Sequence, residues 1–88
     1  MYMSEMVTQR RKKILIADDS EMNRDLLAAI LEDEYDIVQA NDGVKAVDYL
    51  QKHAEELSLV LLDLVMPQMD GFEVLAYMNK DTGLIIFR

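Results

Sequence analysis

Two short apolar runs, each stopping abruptly at aspartate, constrain this chain more than any other feature. Lys13-Ile-Leu-Ile-Ala17 ends in Asp18-Asp19, and Leu57-Ser-Leu-Val-Leu-Leu62 ends in Asp63. Apolar runs this short, with β-branched Ile14, Ile16 and Val60, suit strands covered on both faces. Such strands need helices above and below, and the intervening sequence supplies them. Ser20 is a good N-cap, followed at helical spacing by Met22, Leu26, Leu27, Ile30 and Leu31 to about Asp33. Tyr35-Asp-Ile-Val-Gln-Ala40 reads as a strand closed by the turn signal Asn41-Asp42-Gly43. A second helix is expected from about Val44 to Ala54, with Val44, Val47, Leu50 and Ala54 on one face. A third follows the loop Met66-Pro67-Gln68-Met69-Asp70-Gly71, running through Phe72, Leu75, Ala76 and Met78 to about Lys80, and Gly83–Phe87 reads as a fourth strand. The order β-α-β-α-β-α-β with short connections implies an α/β domain with parallel strands and right-handed crossovers.

Charge is distributed unevenly. The chain carries a net −8, yet four of its nine basic residues are Arg10, Arg11, Lys12 and Lys13. From Ile14 onward there are 5 basic and 16 acidic residues, a net of −11, a body that repels nucleic acid and attracts cations. Residues 1–12 are expected to be a flexible basic arm, and 13–88 the folded unit. The absence of cysteine excludes disulfides, zinc–thiolate clusters and thiol catalysis. No run approaches the roughly 20 apolar residues of a membrane span, and the apolar stretch after the basic quartet is too short for a secretory signal. A cytoplasmic location with no membrane contact is the expectation.

Sites in open parallel sheets form outside the carboxyl ends of the strands. If the first and third strands are neighbours, Asp18, Asp19 and Asp63 converge at one edge. Three clustered carboxylates repel one another unless a cation lies among them. An all-oxygen donor set selects a hard cation, and Mg²⁺ commonly links carboxylates to phosphate oxygens. Each aspartate singly has a plainer explanation as a cap or turn residue; their placement at one sheet edge is what points to phosphoryl chemistry. Turn and cap roles account for Asp42, Asp70, Glu73 and Glu21. His53 falls near the end of the second helix, where favourable interaction with the helix dipole explains it. Met22, Met69 and Met78 are expected to fill the core, and Tyr35, Tyr49 and Tyr77 to be half-buried. Phosphate-binding glycine loops and serine-hydrolase elbows are absent.

Three segments carry a family resemblance. Ile14-Leu-Ile-Ala-Asp18-Asp19-Ser20 with Asn23-Arg24, then Ala40-Asn41-Asp42-Gly43, then Leu61-Leu62-Asp63-Leu64-Val65-Met66-Pro67-Gln68-Met69-Asp70-Gly71-Phe72-Glu73 resemble, in order and spacing, the response-regulator receiver domain of two-component signalling. The resemblance implies a flavodoxin-like (CheY-like) three-layer αβα fold with strand order 2-1-3-4. It implies that Asp63 accepts a phosphoryl group from a phosphohistidine on a sensor histidine kinase or phosphotransfer protein, or from a small donor such as acetyl phosphate. Asp19, Asp63 and the backbone carbonyl of Val65 would ligate Mg²⁺, with Asp18 acting through a metal-bound water, and Pro67 and Gly71 would shape the neighbouring loop. Its catalysis would be limited to its own phosphorylation and dephosphorylation.

The match departs from the family pattern at its end. A complete receiver has a further strand, two further helices, a Ser or Thr after the fourth strand and a Lys after the fifth. A partial receiver is therefore expected, with impaired phosphorylation and a Leu84-Ile85-Ile86-Phe87 edge free to pair with another copy. Two other functions compete. One is a non-phosphorylated assembly module using that edge; the other is a haloacid-dehalogenase-type phosphatase, whose Asp-x-Asp spacing differs from Asp18-Asp19-Ser20.

Overall fold

β1 (Lys13–Ala17) lies at the interior of a four-stranded parallel sheet, paired with β2 (Asp36–Ala40) on one side and β3 (Leu57–Asp63) on the other. β4 (Gly83–Phe87) pairs with β3, so the order is β2-β1-β3-β4. This is the 2-1-3-4 order expected. The computed structural model describes residues 11–63 and 71–87, without the side chains of 71, 72 and 87. Helices α1 (Glu21–Leu31), α2 (Gly43–His53) and α3 (Gly71–Tyr77) connect the strands, and a short 3-10 turn, Ala54–Glu56, leads into β3.

The strands are apolar on both faces because each face meets a helix. Leu15, Ala17, Val60 and Leu62 turn one way and, with Ala40 of β2 and Leu57 of β3, pack with Ala46 and Leu50 of α2 and Val74 of α3. Ile14, Ile16 and Leu61 turn the other way, toward Ala28, Leu27 and Leu31 of α1. Full burial of one Leu or Ile side chain contributes about 1.5–3 kcal/mol, so Leu15, Ile16, Leu50 and Leu62, all under 3% exposed, anchor the sandwich.

Several side chains fall elsewhere than expected. Met22, Leu26 and Ile30 of α1 face solvent, at 78%, 59% and 66% exposure. They share one stripe at i, i+4, i+8 spacing, whereas the sheet is met by the neighbouring stripe of Leu27, Ala28 and Leu31. The apolar arc of α1 is thus wider than one sheet contact can cover, and Met22 is not core filler. On α2, Val44 is exposed, and the sheet is met by Ala46 and Leu50. On α3, Val74 is buried and Leu75 half-exposed, while Tyr77 is 36% exposed. That helix stops at Tyr77, short of the expected Lys80. Asn79 diverts it: its side-chain oxygen accepts the Asp81 N–H at 3.0 Å, and its carbonyl accepts the Thr82 N–H at 2.9 Å. Asparagine side chains compete with the helix ladder in this way. Met78 does pack against the core, whereas Met69 and Asp70 lie outside the described residues. Among the described residues no helix is long and apolar enough to cross a membrane.

Candidate metal centre

The β1–β3 register sets the site. Ala17 lies beside Leu62, so the next residues along the two parallel strands, Asp18 and Asp63, emerge side by side at the carboxyl edge. Asp18 is fully buried, Asp63 is 6% exposed, and Asp19 faces solvent. Carboxylate oxygens of all three lie within 4.8 Å of one another.

Local bonding explains why Asp18 turns inward. Its N–H donates to the Ala40 carbonyl of β2 at 3.1 Å, extending the ladder one step past β1. Its Oδ1 accepts the Ser20 N–H at 2.9 Å, which folds the chain into α1. Ser20 then caps α1, its Oγ accepting the Asn23 N–H at 3.2 Å, as expected from its position. The second carboxylate oxygen, Oδ2, is buried and accepts no hydrogen bond among the described residues. A buried carboxylate oxygen without a donor is costly, and a cation bound among these acids would satisfy it. The donor set is all oxygen, which fits a hard divalent cation such as Mg²⁺.

Of the expected ligands, Asp18, Asp19 and Asp63 are brought together; Val65, with its carbonyl, and Pro67 lie outside the described residues. Sequence reasoning gave Arg24 no role. Its Nη1 donates to the Asp18 carbonyl at 2.8 Å, and its Nε donates to Gln39 Oε1 on β2 at 3.0 Å. The available signal was its isolation: it is the sole basic residue between Ile14 and Val44. Asp42 caps α2 by accepting the Lys45 N–H at 2.8 Å, which accounts for it without a role in the cluster.

A second group of charges lies at the opposite end of the sheet. Lys13 Nζ is 3.0 Å from Glu56 Oε1, and His53 Nδ1 is 3.0 Å from Glu56 Oε2. The hydrogen bond from Lys13, followed by that from His53, lowers the Glu56 pKa, and the same bond to Glu56 raises that of Lys13. The His53 ring also lies 4.8 Å from that of Tyr49. Arg11 reaches the fold at this end, donating to the Glu32 carbonyl, while residues 1–10 lie outside the described residues.

Residues 14–87 match the family model of the response regulator receiver domain. The chemotaxis protein CheY of Halobacterium salinarum is 44% identical over 74 residues, covering 82% of this chain and 60% of its own length. Among solved structures, a CheX–CheY–BeF3–Mg²⁺ complex from Borrelia burgdorferi aligns with a TM-score of 0.69 and 30% identity, over 85% of this chain and 60% of that one. The complex of the CheA3 P1 domain with CheY6 from R. sphaeroides aligns with a TM-score of 0.66 and 33% identity, over 85% of this chain and 60% of that one. This chain therefore spans 60% of the length of each of these relatives. The family model, the 2-1-3-4 parallel sheet and the aspartates gathered at its carboxyl edge agree, and the chain belongs to the CheY-like response regulator receiver domains, signalling domains of two-component systems.

Proposed function

We propose that Asp63 is the phosphoacceptor of this receiver and that Asp19 and Asp63, with the Val65 carbonyl, hold Mg²⁺ beside it, with Asp18 engaged through a metal-bound water. The observation that carries this is the buried Asp18 Oδ2, which has no donor among the described residues and lies in a cluster that includes Asp63. Asp63 closes β3, so the strand ladder holds its backbone in place and its carboxylate needs little ordering before it reacts. One Asp63 carboxylate oxygen attacks the phosphorus of a phosphohistidine; the P–N bond breaks, and its electron pair stays on the imidazole nitrogen. When bound, Mg²⁺ offsets charge on the phosphoryl oxygens and aligns the group with its acceptor. Asp18, held by Ser20 and Ala40, contributes a fixed negative charge behind the site.

The phosphodonor is a sensor histidine kinase or phosphotransfer protein, met in the cytoplasm. Met22, Leu26 and Ile30 form an exposed apolar stripe on the helix that starts directly after the acid pair. An apolar stripe beside a reactive centre suits a partner that must bring its own reactive residue to that centre. The P1 domain bound to CheY6 in a structural neighbour is consistent with this assignment. A second role, assembly through β4, has the half-exposed Ile85 and Ile86 in its favour.

Acetyl phosphate with Mg²⁺, read by intact mass on the chain and on Asp63→Asn, separates the two. An adduct of one phosphoryl group on the wild type alone is expected. No adduct on a sample that circular dichroism shows to be folded would discard phosphoacceptance and leave assembly as the better account.

A further inference from the structure

We propose that Arg24 is a positioning residue for the acid cluster, locking the Asp18–Asp19 peptide in the orientation that gathers the three carboxylates, with Gln39 aiming it. The proposal rests on the cluster being a cation site. The β1 ladder ends at Ala17, which pairs with Ala40 and Leu62. Asp18 lies one step beyond, where strand pairing no longer holds both of its backbone groups. Its N–H still reaches the Ala40 carbonyl at 3.1 Å, while its C=O is held by Arg24 Nη1 at 2.8 Å. Rotation about the Asp18 Cα–C bond would swing Asp19 away from Asp63, and the Arg24 bond opposes that rotation.

Three features suit Arg24 to this role. Its own N–H bonds the Ser20 carbonyl at 3.0 Å, so its backbone belongs to the same turn that it braces. Its Nε bonds Gln39, which stands on β2 beside Ile16, so the guanidinium bridges α1, the acidic turn and the sheet. It meets Asp18 through the backbone carbonyl, which brings a positive charge close to the acids and leaves Asp18 Oδ2 open. A lysine ammonium carries its three donors on one nitrogen and lacks the fixed fork by which Nε and Nη1 reach two separate acceptors.

The test is a Mg²⁺ titration of the chain by calorimetry, paired with amide hydrogen exchange of Asp18, Asp19 and Ser20 in the metal-free protein. Residues that orient metal ligands typically cost 10–100-fold in metal affinity when removed, so Arg24→Ala should weaken Mg²⁺ binding by about tenfold. It should also speed exchange at those three amides. Arg24→Lys should recover only part of both losses, and Gln39→Ala should produce a smaller loss of the same kind. A folded Arg24→Ala that binds Mg²⁺ like the wild type with unchanged exchange overturns the proposal. So does an Arg24→Lys indistinguishable from the wild type, because charge alone would then suffice. If Arg24→Ala does not fold, Gln39→Ala, on an exposed side chain, decides by the same two readouts. Asp19→Asn is the control on the site: if neither it nor the wild type binds Mg²⁺, the cation assignment has failed, and metal-free exchange alone judges Arg24.

Discussion

Replacing Asp63 with asparagine should stabilise the protein without Mg²⁺ and destabilise it, relative to the wild type, with Mg²⁺. Asp18 and Asp63 are both buried and present oxygens within 4.8 Å of each other. At that separation two full charges repel by about 3.5 kcal/mol at an effective dielectric of 20. Sharing of each charge over two oxygens, solvent near Asp19 and the further interaction that Asp63 makes in the fold all reduce this, so neutralising Asp63 should stabilise the metal-free fold by about 1 kcal/mol. In a domain of this size each kcal/mol moves Tm by roughly 4–8 °C. Mg²⁺ at a hundred times its Kd would then raise wild-type stability by about 2.7 kcal/mol, whereas the variant, short of a ligand, gains much less. Thermal melts of both proteins in EDTA and across a Mg²⁺ series should therefore cross. The reasoning is refuted if Asp63→Asn is the less stable protein in EDTA, since the Asp63 carboxylate would then stabilise the fold without a cation.

Two other substitutions probe the frame that holds the site. Thr82→Val should cost about 1–2 kcal/mol in urea unfolding, because the buried Thr82 Oγ1 donates to the Leu57 carbonyl at 3.1 Å and ties the start of β4 to β3; an unchanged midpoint would mean that bond contributes nothing. Glu56→Gln should lower stability slightly at neutral pH by removing the negative charge that faces Lys13 and His53. The Glu56 pKa is lowered in the fold, so its contribution is present above its ordinary value of 4.5 and fades as pH falls through the lowered value. The Lys13 pKa is raised, so the same pairing persists below 10.5 and is lost as pH climbs through the raised value. The gap between the two proteins should accordingly stay open between these limits and close at both ends, and a gap that persists in acid would assign the effect to packing.

Local chemistry made much of this legible. Ile14 to Ala17 and Leu59 to Leu62 announce doubly covered strands by their unbroken apolarity, and Ser20 and Asp42 announce helix starts because their side chains can accept the orphan N–H groups of a first turn. The three aspartates were identifiable as candidates because sites in such sheets lie beyond the strand ends. Other details depended on contacts distant in sequence. Which stripe of α1 meets the sheet, Leu27 with Leu31 and not Met22 with Leu26, depends on how the helix sits on β1 and β2, since both stripes have the right period. The early end of α3 at Tyr77 depends on an asparagine side chain competing with the helix ladder. Arg24 could not be assigned a role from its position, because its partners are a carbonyl six residues back and a glutamine on another strand. The sequence by itself determined the class of fold, the strands and the acids at their ends, because these follow from hydrophobic period and side-chain type. Only the tertiary structure decided that Asp18 has one buried oxygen without a donor among the described residues and that Arg24 bonds its carbonyl, because burial and hydrogen-bond satisfaction are set by neighbours that the chain brings together from afar.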